Sequence, residues 1–127
     1  MTEPRDIYWL RRRLQSIDDV YFDGALEGMG VTIHWAPWKK RKRDLYYGWC
    51  DGTKIFVSRA LAHHWVPSYV VLATIFHEAL HVVVGPDHDS EFAMAEQRFV
   101  HHAKAEVWET ENHHALLEAD NPHKRKK

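Results

Sequence analysis

Between Tyr69 and Phe92 the chain reads YVVLATIFHEALHVVVGPDHDSEF, and this stretch restricts the fold more than any other. From Val70 to Val84 the only strongly polar residues are His77, Glu78 and His81, with Thr74 a mild exception. A helix that is apolar nearly all round belongs in a core. Polar groups in its middle need partners, because burying them unpaired costs several kcal/mol. His77 and His81 stand four apart, about 40° around a helix of 3.6 residues per turn, so both imidazoles can reach one metal ion. Glu78 follows the first histidine of this HExxH and is placed as a general base toward water on that ion. The plainer alternative is a pair of core histidines bonded to backbone or carboxylates. Eleven histidines in 127 residues make an accidental HExxH easier to come by, and the apolar setting is what strengthens this one.

Gly85-Pro86 stops the helix, since glycine suits the backbone turn after a helix and proline cannot continue it. The chain then delivers Asp87-His88-Asp89, and His88 lies six intervening residues beyond His81. A tight turn can bring it back as a third ligand. Three protein ligands with one open position is the arrangement of catalytic zinc, and one Zn2+ per chain is expected on His77, His81 and His88. Cys50 is the only cysteine, which excludes a cysteine-based zinc finger and an internal disulfide and fits a reducing cytoplasm.

The length suits one domain. No signal-peptide run or convincing membrane span is visible, so no membrane partner is expected. The net charge of −1 decides nothing about nucleic acid, but its distribution is uneven. Lys39, Lys40, Arg41, Lys42 and Arg43 form a basic run beside Trp35, Trp38, Tyr46 and Tyr47. The run reads as a phosphate-contacting patch with aromatics for stacking, as a solvated, mobile hairpin connection, or as lysines protecting an edge strand.

In chain order, Asp6 to Tyr21 reads as an amphipathic helix broken by Asp23-Gly24. Val31 to Trp35, Leu45 to Cys50 and Lys54 to Ser58 read as strands, the last two joined at Asp51-Gly52. After the metal helix, Asp89 or Ser90 caps a third long helix. Phe92, Ala95, Glu96 and Phe99 share a face on it, and Val100, Ala103, Val107 and Trp108 extend its apolar side. Glu96 is there a partner for a ligand histidine or an alternative ligand. His101, His102, His113, His114 and His123 read as surface residues. The fold class expected is α+β: an N-terminal helix, a small three-stranded antiparallel-type sheet, the HExxH helix and a C-terminal helix. The domain spans 1–117, and 118–127 is a basic flexible tail.

The ordered set of segments resembles the SprT-like zinc metallopeptidase domain, found also in Spartan-type proteases that degrade DNA-crosslinked proteins. Tyr21-Phe22-Asp23-Gly24, the strand Val31 to Trp35, Gly48-Trp49-Cys50-Asp51 followed by Lys54 to Ser58, and HExxH followed by His88 and Phe92 carry the likeness, across Ile7 to Trp108. The form resembled is the minimal, zincin-like domain without a zinc ribbon. The resemblance implies zinc on His77, His81 and His88, Glu78 as catalytic base, and a protein or peptide substrate added as a strand beside the sheet edge. DNA would then be met by the basic run and tail. An oxyanion donor is expected from Tyr46, Tyr47, Tyr69 or a further histidine.

Two rival readings follow from the same residues. Gly85-Pro86-Asp87-His88 resembles the turn of YbeY-type zinc-dependent endoribonucleases, although those lack the glutamate after the first histidine. A non-catalytic, zinc-stabilised nucleic-acid-binding module is the other, and it leaves Glu78 without a purpose.

Overall fold

The structure is a computed structural model describing residues 4–36, 40, 41, 44, 45 and 47–118. Among them it is mixed α+β, with five α-helices and a small three-stranded sheet. Helix α1, Ile7–Ile17, starts where the Asp6 carboxylate accepts from Trp9 N at 2.8 Å, an N-cap. Its spacing buries Trp9, Leu10, Leu14 and Ile17 on one face. A π-helical turn, Asp18–Phe22, continues it. Asp23 and Gly24 then both adopt left-handed backbone and end the segment. Buried Asp18 accepts from Leu26 N at 2.9 Å and Glu27 N at 3.0 Å, tying this turn to the short α2, Ala25–Gly28.

Strands β1 (Thr32–Ala36), β4 (Gly48–Asp51) and β5 (Lys54–Ser58) form the sheet in the order β1-β5-β4. The β4–β5 hairpin is antiparallel, but β1 runs parallel to β5, so the antiparallel-type sheet expected from sequence is a mixed one. The reason is directional. The chain reverses once between β1 and β4 and again at Gly52, and two reversals restore the direction of β1. The expected strand Leu45 to Cys50 is also divided. Leu45 belongs to β3, Asp44–Leu45, which pairs with β2, Lys40–Arg41, in a separate ladder, and β4 begins only at Gly48. Of the basic run, the backbone of Lys40 and Arg41 thus forms one arm of a short hairpin; Lys39, Lys42 and Arg43 lie outside the described residues, as do Trp38, Tyr46 and the tail from 119 to 127.

Ile33, Ile55 and Val57 project from one face of the sheet into the core shared with α1 and α3, Ser68–Val84. Pro67 occupies the N-cap of α3, and Val70, Val71, Ile75, Phe76, Ala79 and Leu80 are buried along it. The last turn emerges, with Val83 and Val84 about half exposed. Gly85 closes the helix at a φ of 122°, where a side chain would be strained.

The single long helix expected after the turn is two. α4, Ser90–Glu96, is capped by Asp89, whose carboxylate accepts from Phe92 N, and α5 runs His102–Glu118. Between them Arg98 N and Phe99 N bond back three residues, a tightening that ends the α-helix. The break buries Phe99 against Phe76 and turns Val100 outward. Ala103 and Val107 are likewise exposed, and Ala105 and Leu116 are buried on α5. No helix among the described residues is long and apolar enough to cross a membrane.

Candidate metal centre

One helical turn places His77 and His81 side by side, and the Gly85–Asp89 turn brings His88 back to them. The three Nε2 atoms form a triangle with edges of 3.2 Å (His77–His81), 2.9 Å (His81–His88) and 3.3 Å (His77–His88). Three His nitrogens at zinc-bond lengths of 2.0–2.1 Å in a tetrahedron would stand about 3.3 Å apart. The triad can therefore hold a metal ion.

The outer nitrogens explain why the inner ones converge. His77 Nδ1 bonds to Glu96 Oε2, and His81 Nδ1 bonds to the Gly85 carbonyl at 2.9 Å. Carbonyl and carboxylate oxygens only accept, so both Nδ1 atoms carry the hydrogen and both Nε2 atoms present lone pairs. The His77–His81 contact thus has no proton to share, and a cation between the rings is what this donor set suits. Glu96 stands in the role of partner to a ligand, one of the two that its position allowed. Phe92 packs under the site, stacking on His81 with ring centroids 4.4 Å apart.

The electrostatics match. Burial works to lower the His77 pKa, but the hydrogen bond and charge of Glu96, with Glu78 behind it, carry it above its ordinary value. Burial, together with the nearby imidazoles of His77 and His88, holds His81 below the ordinary value against the bond to the Gly85 carbonyl. Glu96 is drawn below the usual carboxylate range, since its bond to His77 outweighs its burial. Glu78 is 5% exposed and has no hydrogen-bond partner among the described residues. Burial, with the charge of Glu96, raises its pKa to about 7 against the pull of His77.

Two hollows meet at Gly48, His77 and Glu78. The larger, about 630 Å³, is a cleft between the β4 segment (Gly48, Trp49, Cys50, Gly52) and the three histidines. Among the described residues strand β4 is an edge of its sheet, and its Gly48, Trp49 and Cys50 line this cleft. The smaller, about 340 Å³, runs from Glu78 toward α5. His102, Glu106 and Glu109 line it, and His113 bonds the Tyr47 hydroxyl at 3.2 Å on the same side. These α5 residues recur at i, i+4, i+7 and i+11, one helical face. Sequence reading set His102 and His113 on the surface and passed over Glu106 and Glu109, although that spacing was the available signal. Tyr47 lines this hollow too, whereas Tyr69 packs with His101 and Lys104.

Compared with models of known families, with curated proteins and with solved structures, the chain matches none.

Proposed function

We propose that this chain is a zinc-dependent metallopeptidase of the SprT-like kind, with His77, His81 and His88 as ligands and Glu78 as general base. One observation carries the reading: a buried carboxylate without a hydrogen-bond partner among the described residues sits beside three converging imidazoles, where two hollows meet. A purely structural site has no use for a base there. Imidazole suits several transition metals, and the open three-nitrogen set fits zinc among them.

Bound zinc would supply Lewis-acid polarisation of a carbonyl and activation of water. The chain's own residues do the rest. An extended peptide lies along the outer edge of β4, which fixes its direction by backbone hydrogen bonds. Glu78 takes a proton from the attacking water and returns it to the leaving amine. Its raised pKa suits both halves of that exchange. Glu96 holds the His77 ring and its tautomer. In the same proposal the basic run Lys39 to Arg43 and the tail meet the phosphates of DNA carrying a substrate protein, and the enzyme works in the cytoplasm.

The test pairs wild type with Glu78→Gln on an unfolded protein substrate, with bound zinc measured for both. The glutamine variant is expected to keep zinc and lose hydrolysis by a factor of at least about a hundred. Equal hydrolysis by both would remove Glu78 as the base, and zinc-dependent cleavage of RNA in place of protein would make the chain an endoribonuclease.

A further inference from the structure

The smaller hollow is unusually one-sided in charge. Glu78, Glu96, Glu106 and Glu109 line it, and no lysine or arginine is among its described lining residues. Two of the four carboxylates are matched: Glu96 by His77 and Glu106 by His102 at 2.9 Å. Glu109 has no hydrogen-bond or ion-pair partner among the described residues. Neither has Glu78, which is almost completely buried and faces the same space. Two half- or fully buried carboxylates without partners are an incomplete arrangement, because a desolvated anion is stable only when paired. Tyr47 adds an aromatic wall. At about 340 Å³ the hollow has room for a long side chain in place of some ten waters of about 30 Å³ each.

Resting on the peptidase reading, we propose that this hollow is a specificity pocket for the cationic side chain of a lysine or arginine flanking the scissile bond. A peptide lying along β4 passes Gly48 and Glu78, where the hollow opens, so a side chain next to the reacting carbonyl turns into it. Its stem runs past Thr74 and Ala105, and its charge meets Glu109 with Tyr47 alongside. The half-buried Glu109 carboxyl, its pKa raised to about 7 by desolvation and by the nearby Glu106 and Glu96, would ionise fully in that company.

The experiment uses the zinc-loaded full chain and a series of quenched fluorescent peptides differing only beside the cleaved bond, with lysine, arginine, norleucine or glutamate. Binding of n-butylguanidinium is followed in parallel by calorimetry. Wild type is expected to prefer lysine and arginine over norleucine by about tenfold or more in kcat/KM, with glutamate poorest, and to bind the guanidinium. In Glu109→Gln the basic-to-norleucine ratio falls toward one and guanidinium binding is lost. Cleavage with no basic preference and no guanidinium binding overturns the pocket and leaves the peptidase reading in place. A preference that Glu109→Gln leaves intact also overturns it. Guanidinium binding that depends on Glu109, with no peptide cleaved, keeps a cation pocket and removes the peptidase reading instead.

Discussion

Gly48 lies so close to Glu78 that a Cβ added to it would stand 3.3 Å from the Glu78 Cγ. The same atom would meet the Thr74 Cγ2 at 2.8 Å and the Phe56 carbonyl oxygen at 2.9 Å. Backbone of the neighbouring strand cannot yield as a side-chain tip can, so β4 would have to shift against β5, and the Thr74 methyl and Glu78 stem on α3 would have to move with it. Gly48→Ala is therefore expected to destabilise the fold by about 1–3 kcal/mol and to reduce hydrolysis beyond what the lost stability explains. Denaturant unfolding and initial rates measured well below the transition check both. A variant as stable and as active as wild type would mean that the strand is not held against the helix at Glu78.

Glu96 reaches His77 from the end of α4, and its carboxylate fixes which nitrogen of the ring faces the other two histidines. Glu96→Ala removes that acceptor and should weaken zinc by about 10–100-fold without unfolding the chain. Glu96→Gln keeps an accepting oxygen and should lose less. Competition with a chromogenic chelator measures the difference, and an unchanged affinity in Glu96→Ala would reduce Glu96 to a surface contact.

Those two relationships differ in how far they could be read from the chain. His77, Glu78, His81 and the stop at Gly85 were legible because helical spacing and local turn chemistry decide them. Glu96 was legible as a candidate because it shares a helix face with Phe92, Ala95 and Phe99, the face expected to pack under the metal helix. The parallel pairing of β1 with β5 was not, since nothing local in Thr32–Ala36 records which strand will lie beside it. The break between α4 and α5 was hidden for a related reason. No glycine or proline marks Gln97 to His101, and the helical periodicity runs through it unbroken. Packing of Phe99 on Phe76 turns the chain there. That turn also presents the His102–Glu106–Glu109–His113 face to the site, so the missed break and the missed pocket wall are one error.

Glu109 gives a pH dependence whose sign can be isolated. Its carboxyl is raised to about 7 in the folded chain, against an ordinary value near 4.5. Below pH 4.5 it is protonated whether the chain is folded or not, and contributes no difference. Between 4.5 and 7 the unfolded chain releases the proton and the folded chain retains it, so stability falls as pH rises. Above 7 the folded protein bears the full penalty. In metal-free protein, Glu109→Gln should gain on wild type as pH rises from 4.5 to 7.5. Denaturant unfolding of both at the two ends of that window measures it, and a difference independent of pH would show the carboxyl to be freely solvated.

The metal prediction tests the most exposed member of the triad. His77 and His81 are set by the helix, but His88 is held by the turn after Gly85 and is exposed. A ligand that binds only the folded chain stabilises it by about 2.7 kcal/mol at a hundredfold excess over its Kd, several degrees of Tm for a domain of this size. Wild type should gain that with zinc and lose it to a chelator. His77→Ala should show almost none of it, because both the ligand and the bond to Glu96 disappear. His88→Ala should keep the fold, since its side chain fills no part of the core, and should need a markedly higher zinc concentration for the same shift. Equal zinc shifts in His88→Ala and wild type would give the third position to another residue and leave the Asp87–Asp89 turn without a part in the site.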